Sequence, residues 1–242
     1  MFFFAVMAIC VATVYGQEPY VYPMPEHFPA NSAAFPIPRE LAWMKRVKNT
    51  NAAAAKRGSE IKLIFDGDSI TQGWRGSGKN VWMERYDKYG AVNFGIGGDR
   101  TENTLWRLSQ GQAKGLQPKL IALMIGTNNT LANSPEHIAE AIKAIVDKYR
   151  EYCPNAVILL QAIFPRSEKV DDPRRATIKS INEIIAKFAD GEKIIYVDFG
   201  NQFMRADGTL DKDIMPDFLH LSEKGYQIWA DAIQPLIGRY LK

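Results

Sequence analysis

Five short apolar runs recur along the chain: IKLIF at 61–65, AVNF at 91–94, LIALMI at 120–125, AVILLQ at 156–161 and KIIYV at 193–197. Longer stretches of helical character separate them. A strand that is apolar at nearly every position leaves no face for water, so it belongs in a sheet covered on both sides. The connections are long enough to hold crossover helices, which makes the strands parallel. This pattern predicts α/β architecture: a single three-layer αβα domain around a five-stranded parallel sheet. Ligands of such a sheet bind outside the carboxyl ends of its strands.

The clearest helix is predicted over 135–152, where Ser134 can cap, Pro135 takes the first helical position, and Ile138, Ile142, Ile145 and Tyr149 share one face. Further helices are expected near 39–56, 79–89, 101–110, 173–190 and 222–241. With 46% hydrophobic and 24% charged residues in 242, the chain has the profile of an ordinary globular protein. Its net charge of +3, with no basic run, excludes nucleic acid as the expected partner.

Residues 1–16, MFFFAVMAICVATVYG, read as a cleaved signal peptide with Val14 and Gly16 at the positions a signal peptidase reads. The run is short for a membrane span, so no membrane association is expected once it is removed. No Lys or Arg precedes it, and an uncleaved anchor is the alternative reading. Residues 17–38 carry six prolines and are expected to be an extended segment laid over the domain or a tether, with the α/β domain at 39–242. Loss of the leader would leave Cys153 as the only cysteine, expected as a buried thiol, so no internal disulfide can form.

The carboxyl ends of the predicted strands hold the most polar and glycine-rich segments. These are Asp66-Gly67-Asp68-Ser69, Gly95-Ile96-Gly97-Gly98-Asp99 and Gly126-Thr127-Asn128-Asn129, and the chain after the fifth strand leads to Asp217-Phe218-Leu219-His220. Each alone is ordinary loop chemistry. Together they supply a nucleophile, a base, a carboxylate to orient the base, and donors for an oxyanion. Ser69 stands at a strand-to-helix turn, where its hydroxyl is exposed and its own N–H can donate. His220 is the base by elimination: His27 lies in the proline-rich segment and His137 in the first turn of a capped helix. Asp217 can turn back within one bend to hold the imidazole Nδ1–H, leaving Nε2 for Ser69. A backbone N–H of the glycine cluster and the Asn128 amide are the further donors, with the choice among Gly95, Gly97 and Gly98 open.

Ile70 and Thr71 follow the serine, so the GxSxG elbow is missing. Neither HExxH, GxGxxG nor GxxxxGK[ST] occurs, and the expected mechanism uses no metal and no cofactor. Asp68, Trp74, Arg75, Arg100, Asn129, Phe164 and Met215 lie near the predicted strand ends and are the candidates for contacts to acyl or alcohol groups.

The blocks FDGDSITQGW, NFGIGGDRTENTLWRL, LMIGTNN and DFLHLSEKGY, in this order, resemble those of the SGNH (GDSL-type) hydrolases. The likeness runs from about Trp43 to the C-terminus and is nearest the platelet-activating factor acetylhydrolase subgroup and its bacterial relatives. It implies a flavodoxin-like fold, Ser69 as nucleophile, Ser69, Gly98 and Asn128 as the oxyanion hole, and Asp217 with His220 completing the triad. Asn129 stands where many members of the superfamily have Asp, but the subgroup also reads GTNN. The resemblance also implies a homodimer. With the export signal it points to a secreted or periplasmic esterase acting on small-molecule or glycan esters, O-acetylated carbohydrates first. Lipid esters of the acetylhydrolase or lysophospholipase type, or glycan binding without hydrolysis, are the alternatives.

Overall fold

A computed structural model describes residues 30–241. The signal-peptide reading of 1–16 and the first part of the proline-rich segment lie outside the described residues. Five parallel strands, β1 (Leu63–Gly67), β2 (Val92–Asn93), β3 (Leu120–Met124), β4 (Val157–Gln161) and β5 (Ile194–Val197), form one sheet in the order β2-β1-β3-β4-β5. This is the flavodoxin-like, doubly wound fold that the resemblance implies, with the chain reversing direction across the sheet next to β1.

The strands are apolar throughout because successive side chains enter two different cores. Ile64, Ile121, Leu123, Ile158 and Leu160 point to the face covered by α4 (Thr101–Ser109), α5 (Pro135–Tyr152) and α6 (Pro173–Ile185). Leu63, Phe65, Leu120, Ala122 and Leu159 meet Trp229, Ile233 and Ile237 of α7 (Glu223–Tyr240) and Val81 of α3 (Lys79–Arg85). Before the sheet, α1 (Leu41–Arg57) lays Trp43 and Val47 against Ile96 and Trp106. In α5, Ser134 accepts from the His137 N–H with Pro135 at the first turn.

The predicted helices are shorter than expected at several ends. The helix expected to end at 89 stops at Arg85, and one 3₁₀ turn then closes on Gly90, whose φ of 59° only glycine adopts freely. The last turn before β5 is likewise 3₁₀, over Ala186–Phe188, and α1 begins at Leu41. A four-residue helix that the periodicity did not announce, α2 (Ser69–Gln72), opens immediately after β1.

The described end of the proline-rich segment is laid over the domain. Asn31 donates to the His137 carbonyl and to Glu140 at 2.9 Å each, and the Thr101 hydroxyl donates to the Ala33 carbonyl at 2.9 Å. Cys153 is buried, and burial pushes its thiol up to about 11. No helix among the described residues is long and apolar enough to cross a membrane.

Candidate active site

Gly67 ends β1 under tight constraint, since a Cβ there would stand 2.2 Å from the Met124 carbonyl oxygen and 2.4 Å from the Thr71 hydroxyl. That closeness lets α2 start directly on the sheet. Asp68 caps it, accepting the Ile70 N–H at 2.9 Å, so Ser69 is the first helical residue. Its N–H is one of those an α-helix leaves without an internal acceptor, and it finds none among the described residues.

The Ser69 hydroxyl lies 2.8 Å from His220 Nε2, although the two residues are 151 positions apart. On the other side of the ring, Nδ1 is 2.7 Å from Asp217 Oδ2. Asp217 Oδ1 accepts the N–H groups of His220 at 2.7 Å and Leu219 at 3.1 Å, which folds the four-residue turn around its carboxylate. Burial works to raise the Asp217 carboxyl, but the His220 hydrogen bonds outweigh it and the group lies below its ordinary range. Phe218, between the two, takes the left-handed conformation at φ 59°, an uncommon place for a bulky residue, and its carbonyl is held by the Ser167 N–H at 2.8 Å.

The N–H groups of the glycine loop differ in what they meet. The Gly95 N–H is taken by Asn93 Oδ1 at 2.8 Å and the Gly97 N–H by Gln72 Oε1 at 2.7 Å. Among the described residues the Gly98 N–H has no acceptor. Asn128 gives one Nδ2 hydrogen to the Asp99 carbonyl at 2.9 Å, leaving its second hydrogen free to donate. The loop bearing it depends on Gly126, which has φ 122°.

Beneath the site lies a buried charge network. Asp66 and Asp99, at the ends of β1 and of the glycine loop, share Arg107 at 2.9 Å each. Tyr149 and Gln112 also donate to Asp66, and the Trp43 indole donates to Asp99 at 2.7 Å. These bonds fix the two segments that present Ser69 and Gly98.

Several expected substrate contacts are corrected. Trp74 is fully buried, with ring centroids 4.6 Å from Tyr226 and 5.0 Å from Trp229, because the turn after α2 carries it back beneath β1. Phe164 packs on Phe203 and Trp229, and Met215 is also fully buried in that core. Asn129 is buried with every polar atom used: it accepts the Thr101 N–H at 3.1 Å and donates to Glu102 and Asn133. It ties α4 to the loop of Asn128. Asp68 is buried as the cap of α2, and burial pushes its carboxyl up to about 7, with Asp99 adding to the rise and the Ile70 N–H, His220 and Arg166 opposing it. Arg75 donates to the Asn93 carbonyl. Arg100, next to Asp99, is exposed and lies 3.8 Å from Glu102 Oε1.

Arg166 was missed. It follows β4, donates from Nη1 to the carbonyl and hydroxyl of Thr127 at 3.1 Å each, and faces both Asp68 and Asp217. With Asp217 and Leu219 it lines a polar recess of about 320 Å³. Its signal is its position, two residues beyond Phe164 at the carboxyl end of β4. Among the described residues no group of three His, Cys, Asp or Glu side chains is placed to hold a metal ion.

A family model for GDSL-like lipases and acylhydrolases matches residues 65–228, a span that contains Ser69, Gly98, Asn128, Asp217 and His220. The chain belongs to that family. As a GDSL acylhydrolase it is an ester hydrolase, and it is similar to characterised members. It is 33% identical over 189 residues to platelet-activating factor acetylhydrolase IB subunit alpha1 of Homo sapiens, covering 78% of this chain and 80% of the relative. It is 33% identical over 184 residues to subunit alpha2 of Mus musculus, covering 76% and 79%. Solved GDSL folds superpose on it. A GDSL-like lipase from Bacteroides thetaiotaomicron has a TM-score of 0.67 at 24% identity, covering 83% of this chain and 99% of that one. The acetylxylan esterase of Geobacillus stearothermophilus has a TM-score of 0.59 at 21% identity, covering 76% and 96%.

Proposed function

We propose that this GDSL hydrolase is a serine acetylesterase working through an acyl-enzyme on Ser69. The observation that carries the reading is the unbroken line from Ser69 Oγ through the His220 ring to Asp217, at 2.8 and 2.7 Å. His220 Nε2 accepts the hydroxyl proton as Ser69 attacks the ester carbonyl, and the imidazolium that forms is held by Asp217. The Ser69 and Gly98 N–H groups and the Asn128 amide hold the oxyanion. Collapse of the tetrahedral intermediate expels the alcohol, protonated by His220, and water then repeats the sequence to release the acid and free Ser69.

The acetyl preference draws on likeness: a platelet-activating factor acetylhydrolase and an acetylxylan esterase, related to this chain by sequence and by fold respectively, both carry an acetyl ester in their names. The apolar block at 1–16, read as an export signal, favours O-acetylated sugars over a cytosolic lipid.

Initial rates on p-nitrophenyl acetate, butyrate and octanoate, with Ser69→Ala as control, test the mechanism. Acetate is expected to be turned over fastest and Ser69→Ala to lose turnover. Activity retained by pure Ser69→Ala protein would end the proposal. Acetate release from acetylated xylooligosaccharides, set against an acetyl phospholipid, then decides the substrate. Preference for the phospholipid would move the reading to the acetylhydrolase type that the 33% identity also supports.

A further inference from the structure

The segment that precedes the family match reaches the proposed oxyanion site. Arg39, just ahead of α1, donates from Nη1 to the Gly97 carbonyl oxygen at 2.7 Å and lies 3.3 Å from Asp99 Oδ1. Four and seven residues on, Trp43 donates to the Asp99 carboxylate and Arg46 donates to the Gly95 carbonyl at 3.3 Å. Trp43 and Arg46, three residues apart, share one face of α1, and Arg39 lies just before its first turn, so this end of α1 holds the glycine loop through three contacts.

Arg39's acceptor belongs to a particular peptide. The Gly97 carbonyl and the Gly98 N–H are two ends of one trans peptide unit, and in a planar trans unit they point in opposite directions. Fixing the carbonyl fixes the N–H. The residues on both sides are glycines, for which rotation of the peptide between left- and right-handed backbone costs little. Gly98 stands at φ 78°, and the Cβ position of Gly97 is 3.7 Å from that of Ser69. The unit therefore abuts the nucleophile while lacking side chains to hold its orientation.

We propose that Arg39 is a positioning residue of the oxyanion site, locking the Gly97–Gly98 peptide so that the Gly98 N–H is presented beside Ser69. This rests on the reading of Gly98 as an oxyanion donor. The guanidinium also draws electron density toward the Gly97 oxygen, which makes the N–H of the same unit a stronger donor. The hydrogen bonds of Arg39 go to the Gly97 carbonyl and to Asp99 rather than to Ser69, so acting through the Gly98 N–H it is expected to affect the transition state more than ground-state binding.

The test compares wild type with Arg39→Gln, Arg39→Lys, Arg57→Ala and Ser69→Ala. Arg57 is the structural control: it joins the same helix to the Gly90 and Ala91 carbonyls at 2.7 and 3.2 Å, at the other end of β2. The readouts are kcat and KM on p-nitrophenyl acetate, the inhibition constant of an alkylboronic acid, and the melting temperature. Boronates add to a catalytic serine as tetrahedral anions and so report on oxyanion donors directly. Arg39→Gln is expected to lower kcat by roughly ten- to a hundredfold, with KM within about threefold of wild type and boronate affinity falling in step with kcat. Arg39→Lys keeps the charge beside Asp99 but not the planar fork, and is expected to fall between the two. Arg57→Ala is expected to lower the melting temperature while keeping kcat within about twofold. The proposal is overturned if Arg39→Gln keeps wild-type kcat, or if Arg57→Ala at an equal melting-temperature loss shows an equal kcat loss. Should Arg39→Gln fail to fold, Arg39→Lys decides alone, a full wild-type kcat and boronate affinity in it counting against the lock. An active Ser69→Ala protein would instead remove the reading of the site itself, which the Arg39 variants leave separate.

Discussion

Arg107 donates from Nη1 to Asp66 Oδ1 at 2.9 Å, and neither side chain has any exposure to solvent. Its Nε makes a second bond of the same length to Asp99. Removing one partner of a buried ion pair leaves the other charge without compensation. Arg107→Met is therefore expected to cost about 3 to 5 kcal/mol of stability. Urea unfolding of the variant measures it, and a loss under about 1 kcal/mol would mean that the two carboxylates find other donors or shed their charge.

Asp68 carries a pH signature of its own. Its carboxyl is raised from 3.8 to about 7, so the native state holds that proton more tightly than the unfolded chain. The stability it contributes is full below about pH 4 and is lost as pH rises through about 7. Asp68→Asn keeps an acceptor for the Ile70 N–H and removes the titration. The unfolding free energy of wild type relative to Asp68→Asn should fall steadily between those two pH values. A difference that stays flat from pH 4 to 8 would show that the cap titrates in the ordinary range.

Gly126 is held at φ 122°, and a Cβ there would sit 2.9 Å from Ile163 Cδ1. Backbone of this kind costs a side-chain-bearing residue about 1 to 3 kcal/mol. Gly126→Ala is expected to lower the melting temperature and, because Asn128 lies two residues on, to lower kcat as well. Calorimetry alongside steady-state kinetics separates the two effects, and a variant with both values unchanged would contradict the assignment of strain.

Trp74 belongs to the aromatic layer between the sheet and α7. Trp74→Ala should cost roughly 3 to 5 kcal/mol, the range for a large aromatic removed from a core. The ratio of kcat/KM for acetate over butyrate esters should not change. A shift in chain-length preference would return Trp74 to the pocket wall.

The sheet was legible because its strands are buried on both faces, so IKLIF and LIALMI announce themselves without reference to any neighbour. The juxtaposition of Ser69, His220 and Asp217 was legible for a related reason. A doubly wound sheet gathers its strand ends, and the polar segments at those ends are few. Side-chain direction was another matter. Trp74, Phe164 and Met215 sit near strand ends in sequence, yet each turns inward, and only the path of the following turn decides that. Arg39 and Arg166 were invisible in the opposite sense. Their importance lies in carbonyl groups they reach, Gly97 and Thr127, and a backbone carbonyl leaves no mark in a sequence.

The two-residue strand β2 lies at one border of the sheet, where unsatisfied carbonyls would invite a foreign strand. Here they are already occupied. Arg57 covers the Gly90 and Ala91 carbonyls, Arg75 covers that of Asn93, and the Asn93 amide turns inward to the Thr71 carbonyl. Two arginines thus do for this border what a sixth strand would do. A chain approaching it to extend the ladder would have to displace both cations first, which weighs against strand addition on the side of the sheet nearest the glycine loop.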